Sequence, residues 1–101
     1  SPLHHAVTES HNDVVKVLLE GGANVDSLDD QGYTPLHLAC KNADPSIVKQ
    51  LLDYKATPDT KDAQGFAALH LATSQRDQDS VMLLLKAGAD PTSFSNAGKT
   101  P

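Results

Sequence analysis

Tryptophan is absent from this chain, and Tyr33, Tyr54, Phe66 and Phe94 are its only aromatic residues. A core must therefore be built from Leu, Val, Ile and Ala, whose modest volumes suit close helix packing. Cys40 is the single cysteine, which excludes an internal disulfide. No Asn-x-Ser/Thr acceptor occurs, and no apolar run approaches membrane length. No signal or transit segment is visible. An intracellular setting, cytoplasmic or nuclear, with no membrane insertion is the expectation. An excess of basic residues is lacking too. The net charge is -5, whereas binding to duplex nucleic acid needs a basic face. Nucleic acid is thus excluded as the main partner.

The acidic excess is local. Residues 1–33 hold six acids (Glu9, Asp13, Glu20, Asp26, Asp29, Asp30) and one base, Lys16. Residues 34–66 hold four of each sign and residues 67–99 three of each. This end is either a plain solvated face or a dock for a basic partner segment.

What the chain does have is a repeat. Gly32-Tyr33-Thr34-Pro35-Leu36-His37-Leu38-Ala39 returns 33 residues later as Gly65-Phe66-Ala67-Ala68-Leu69-His70-Leu71-Ala72. Its second half stands 33 residues earlier as Ser1-Pro2-Leu3-His4-His5-Ala6, and its first half recurs as Gly98-Lys99-Thr100-Pro101. A fixed period of this length implies stacked supersecondary units.

Within one period the local signals are legible. Thr34 and Pro35 supply a helix cap and a first-turn proline. Leu36, Ala39 and Cys40 follow at helical spacing. Asp44 and Pro45 restart a second helix with the stripe Ile47, Val48, Leu51 and Leu52, which Thr57-Pro58-Asp59 is expected to stop. Asp62-Ala63-Gln64-Gly65 reads as a tight turn, glycine taking the unusual backbone angle. The matching second-helix stripes are Val14, Val15, Val17, Leu18 and Leu19, and Val81, Leu84 and Leu85. A single helix-loop-helix-turn unit cannot bury its apolar faces alone, so the units stack.

The eight-residue motif, together with Val14-Val15-Lys16-Val17-Leu18-Leu19 and Leu84-Leu85-Lys86-Ala87-Gly88-Ala89-Asp90, resembles the ankyrin-repeat family over the whole chain. The resemblance implies an all-α solenoid of helix-loop-helix units with β-hairpin-like turns. Its repeats would span 1–34, 35–67 and 68–101 as one continuous domain. The first lacks its leading turn and the last includes the start of another repeat. A segment of a longer array, monomeric as it stands, is the expectation.

Departures from the family pattern are informative. Ser10, Ala43 and Arg76 stand where the family closes its first helix with glycine, and Lys55 replaces the glycine after the second. Ala67-Ala68 replaces Thr-Pro, losing a cap worth about 1 kcal/mol. Ser80 puts a hydroxyl where Val14 and Ile47 stand. Met82, aligned with Lys16 and Lys49, reads as a gap-filler ahead of a convex-side contact. The third repeat's start and the first repeat's helix are expected to be the less stable parts.

Candidate chemistry is sparse. His4, His37 and His70 recur one repeat apart, too far for one shared metal ion. The resemblance makes them structural, tying the helix start to the neighbouring repeat, with Thr34, Pro35, Gly32, Gly65 and Gly98 as further structural residues. On that reading His37 bonds to Thr34, and His70 lacks this partner. Cys40 shares a helix face with His37, but it aligns with Val7 and Thr73, so a packed thiol is expected rather than a nucleophile. Asp29-Asp30 lacks the further oxygen ligands of a calcium loop. No phosphate cradle or nucleophile elbow exists. An enzyme is not expected, and neither a cofactor nor a metal is.

The resemblance places partner contacts on the turn tips and first helices. Carried over by position, these are Leu28, Asp30, Gln31, Tyr33, Lys61, Gln64, Phe66 and Phe94 on the tips, and Lys41, Asn42, Ser74 and Gln75 on the helices. The expected function is a protein–protein interaction module within a larger protein, presenting a rigid concave surface. The alternative is a structural spacer or intramolecular regulatory array inside a larger enzyme, channel or membrane-skeleton adaptor.

Overall fold

Backbone chemistry at the predicted caps builds six helices. The computed structural model describes residues 2–89, which contain α1 (Pro2–Thr8), α2 (Asn12–Glu20), α3 (Pro35–Lys41), α4 (Pro45–Asp53), α5 (Ala68–Ser74) and α6 (Gln78–Lys86). Among the described residues there is no strand. At α3 the Thr34 hydroxyl accepts the His37 N–H at 3.2 Å, and His37 Nδ1 accepts the Thr34 N–H at 3.0 Å. This is a reciprocal capping box with histidine where glutamate usually stands. Asp44 caps α4 through the Ile47 N–H, and Asp77 caps α6 through the Ser80 N–H.

Ala67 keeps half of the capping box. It has no hydroxyl to offer, yet its N–H still donates to His70 Nδ1 at 3.0 Å. The expectation that His70 has lost its partner is thus corrected, because only one of the two bonds needed the threonine side chain. The Ser80 hydroxyl is also accommodated. It donates to the Asp77 carboxylate, so the fully buried serine brings its own acceptor.

Helix ends carry the strain that the missing glycines foretell. Ser10, Ala43 and Arg76 adopt φ of 57°, 54° and 58°, and Lys55 adopts 71°. The left-handed turn lets Ala43 N–H bond to Cys40 O and Asp44 N–H to Ala39 O, which satisfies carbonyls at the end of α3. Lys55, standing where the family has glycine after the second helix, closes α4 in the same way, so that the helix ends at Asp53, ahead of Thr57-Pro58-Asp59. A residue other than glycine in this conformation costs about 1–2 kcal/mol. Glycine returns about 0.5–1 kcal/mol of that through its freer unfolded chain. Ala43→Gly is therefore expected to stabilise by about 0.5 kcal/mol, read as a higher urea midpoint. A lower midpoint would show that the turn is not strained.

Helices α1, α3 and α5 pack side by side in one layer, and α2, α4 and α6 in a second. Each odd helix also packs on the even helix that follows it. Leu3, Leu36 and Leu69 fill the first layer, and Val15, Leu19, Ile47, Val48, Leu51 and Leu84 the second. The second-helix stripes are narrower than their composition implies. Val14, Val17 and Leu85 are exposed, and of the first stripe only Val15 and Leu19 are buried. Met82 is 55% exposed, so it is no gap-filler. It stands in the solvent position that Lys16 and Lys49 also occupy.

Hydrogen bonds tie a first helix to the turn that leads into the next one, and turn to turn. His4 Nε2 donates to Tyr33 O at 2.9 Å, and His37 Nε2 donates to Phe66 O at 3.0 Å, each reaching 29 residues along the chain. Asp26 accepts from both the backbone N–H and the hydroxyl of Thr57, each at 2.9 Å. Gly32 makes a steric version of the same joint. Its φ is +81°, and a Cβ there would lie 3.1 Å from the backbone nitrogen of Ala63 in the next turn. Only glycine suits both demands.

Candidate protein-binding surface

Two loops repeat each other bond for bond. Asp29 Oδ1 accepts the N–H groups of Gln31 and Tyr33 at 2.8 and 2.9 Å. Asp29 N–H donates to Tyr33 O, and Gly32 N–H to Asp29 O. One period later Asp62 Oδ1 accepts from Gln64 and Phe66, both at 2.9 Å. Asp62 N–H donates to Phe66 O, and Gly65 N–H to Asp62 O. Burial works to raise the Asp29 pKa, but the N–H groups of Tyr33 and Gln31 stabilise the carboxylate more and leave it lowered. The carboxylates of Asp29 and Asp62 thus serve as internal staples that hold the main chain while the tip side chains stay outside.

Those tips are the sequence-predicted contact positions. Leu28 is 60% exposed. Asp30, Gln31, Lys61 and Gln64 are exposed. Tyr33 is half-buried, and Phe66 is 38% exposed. Both rings lean on the histidine four residues on. The centroid of Tyr33 is 5.9 Å from that of His37, and that of Phe66 is 6.0 Å from that of His70. A groove of about 390 Å³ between the tips is lined by Gln31, Tyr33, Asp62, Ala63 and Gln64. Phe94 and Gly98 lie outside the described residues.

The helix positions divide. Ser74 and Gln75 are exposed at the end of α5 and its cap. Lys41 reaches back so that its Nζ lies 4.3 Å from the Tyr33 ring centroid, a cation–π contact. The Asn42 amide donates to Val7 O at 3.3 Å and to Thr8 O at 3.1 Å, which spends it on the joint between α3 and α1. Sequence reasoning missed both contacts. The Lys41 contact has a weak signal in retrospect, since helix end and preceding tip are always eight residues apart. The Asn42 contact crosses 34 and 35 residues and leaves no local trace.

Reactive chemistry finds little footing here. Cys40 is fully buried, and burial, with the Asp77 charge adding to it, pushes its thiol up to about 12. It is a packed thiol and a poor nucleophile at neutral pH. Among the described residues no group of three or more His, Cys, Asp or Glu is placed to hold a metal ion. Among them, too, no helix is long and apolar enough to cross a membrane.

Paired short helices stacked in two layers, with locked turns displayed at one edge, define a helical repeat protein with a binding scaffold's geometry. The chain belongs to the ankyrin-repeat family: the family model described as ankyrin repeats, three copies, matches residues 3–95. A search of curated proteins finds no match. Ankyrin repeats are in general protein–protein interaction modules, and their domains are typically non-catalytic binding modules.

Proposed function

We propose that this chain binds a protein partner along its turn tips and first helices, as a rigid, non-catalytic and monomeric segment of a larger protein. Its three repeats, 1–34, 35–67 and 68–101, act as one continuous domain. The observation that carries the reading is the pair of equivalent turns. Their backbones are held by the same carboxylate and glycine bonds, while the side chains of Leu28, Gln31, Gln64 and Phe66 are exposed. A prelocked backbone lowers the ordering cost of binding. Exposed aromatic side chains on such a frame are the residue types that anchor interfaces. The acidic first third adds attraction for a basic segment of the partner, since Glu9, Asp13, Glu20 and Asp30 all face solvent.

The test is capture of binding proteins from cell extract on the wild-type chain and on the Tyr33→Ala/Phe66→Ala variant. Circular dichroism first confirms that both are folded. Proteins bound by the wild type are expected to bind the variant about tenfold more weakly. Equal capture by the two would overturn the assignment of the tips.

A further inference from the structure

Lys41 and Tyr33 supply an internal template for a ligand. The chain places its own ammonium 4.3 Å from an aromatic centroid at the first tip. One period on, the ring is repeated and the cation is not. Phe66 takes the place of Tyr33, and Ser74 takes the place of Lys41. The ring is still seated like its counterpart. It meets the following histidine at 6.0 Å and 69°, against 5.9 Å and 56° for Tyr33. Ser74 is exposed and too short to cover the ring, and Phe66 remains 38% exposed.

We propose that the open face of Phe66 is a subsite for a cationic side chain of the protein partner, an arginine guanidinium by preference, taking the place that Lys41 fills over Tyr33. The proposal rests on the reading of the tips as a binding surface and specifies what one of them recognises. One further observation supports it. The Asp62 carboxylate, in the turn that leads into Phe66, has one oxygen with no hydrogen-bond partner, so its charge is not fully spent on the turn. Lys61 is the opposing charge in the same turn, and it acts on the His70 ring beneath Phe66. A guanidinium suits the face better than an ammonium because it is more weakly hydrated and stacks flat on a ring.

The test uses defined probes and the intact chain. The probes are the peptide acetyl-Gly-Arg-Gly-Arg-Gly-amide and the same peptide with citrulline at both arginines, which keeps the shape and removes the charge. Binding is followed by the aromatic NMR signals of Phe66 and Tyr33 at low salt. The arginine peptide is expected to bind about three-fold or more tightly than the citrulline peptide and to shift Phe66 rather than Tyr33. Phe66→Leu should remove the difference, and Ser74→Lys should remove it by filling the face from within. Lys61→Ser should strengthen binding. Equal binding of the two peptides, or an arginine preference that survives Phe66→Leu, would overturn the subsite. Either result leaves the extract capture by Tyr33 and Phe66 standing or falling on its own, because that measurement does not involve these peptides.

Discussion

Ile47→Ala is expected to destabilise the chain by about 3 kcal/mol, whereas Val14→Ala, at the same position of the preceding repeat, should cost well under 1 kcal/mol. Ile47 is 0% exposed and Val14 is 46% exposed. Removing the Ile47 side chain deletes buried methyl groups and leaves a cavity that α2, α3 and α6 around α4 cannot fill by closing. Removing the exposed Val14 methyls takes away little buried area, and alanine favours the helix. Urea unfolding at neutral pH reads both, and an unchanged slope would show that the unfolded states are comparable. Equal losses at the two positions would mean that Val14 is covered in solution by something that buries it as Ile47 is buried.

That contrast shows where sequence periodicity reaches its limit. Val14 and Ile47 carry the same signal, a β-branched residue opening a second-helix stripe. Burial, however, depends on what packs beside each helix. α4 lies between α2 and α6, whereas among the described elements α2 has only α4 beside it in that layer. The helices themselves were legible because caps, prolines and apolar spacing are local. The ends of the first helices were legible for a subtler reason. Ser10, Ala43 and Arg76 stand where the family has glycine, and the backbone keeps the glycine conformation without the glycine. The end of α4 was legible in the same way, since Lys55 keeps the left-handed turn of the glycine it replaces and closes the helix before Pro58 is reached.

The candidate surface was legible in outline by the same logic. Periodicity finds the tips, because they are where Tyr33 and Phe66, or Leu28 and Lys61, occupy equivalent places with different side chains. It cannot say which side chains are already engaged. Asn42 looked free and is bonded to α1, and Lys41 looked free and lies over Tyr33. Both contacts depend on how one repeat is set against the next or how a long side chain folds back, which is tertiary information.

His37 joins these levels, and its replacement is expected to be the most damaging change to a polar group in the chain. The ring is 1% exposed. Its Nε2 faces the carbonyl of Phe66, which can only accept, so Nε2 carries the proton. Nδ1 is then the acceptor for the Thr34 N–H. His37→Ala leaves the buried Thr34 N–H without its acceptor and removes the tie to Phe66, whose carbonyl keeps the Asp62 N–H. A loss of about 3 kcal/mol follows from one unsatisfied buried donor at about 1–3 kcal/mol together with the cavity left by a fully buried side chain. The same geometry fixes the pH response. Burial lowers the His37 pKa, ahead of the opposing pull of the Phe66 carbonyl and of Asp62. Below the unfolded value of about 6.5 the unfolded chain therefore binds more protons than the folded one, so stability falls as pH drops through that range and is level above it. The slope contributed by a fully linked histidine is at most about 1.4 kcal/mol per pH unit. His70 is lowered too, by burial first and the Lys61 charge second, and adds in the same direction. Asp29, lowered from 3.8, adds its own loss only at more acid pH, so the two windows separate. Urea midpoints at pH 7.5 and 5.0 measure the histidine part. His37→Gln, which cannot titrate, should lower the midpoint at pH 7.5 yet flatten the difference between the two values. A variant as pH-dependent as the wild type would move the linkage elsewhere and leave His37 with a packing role alone.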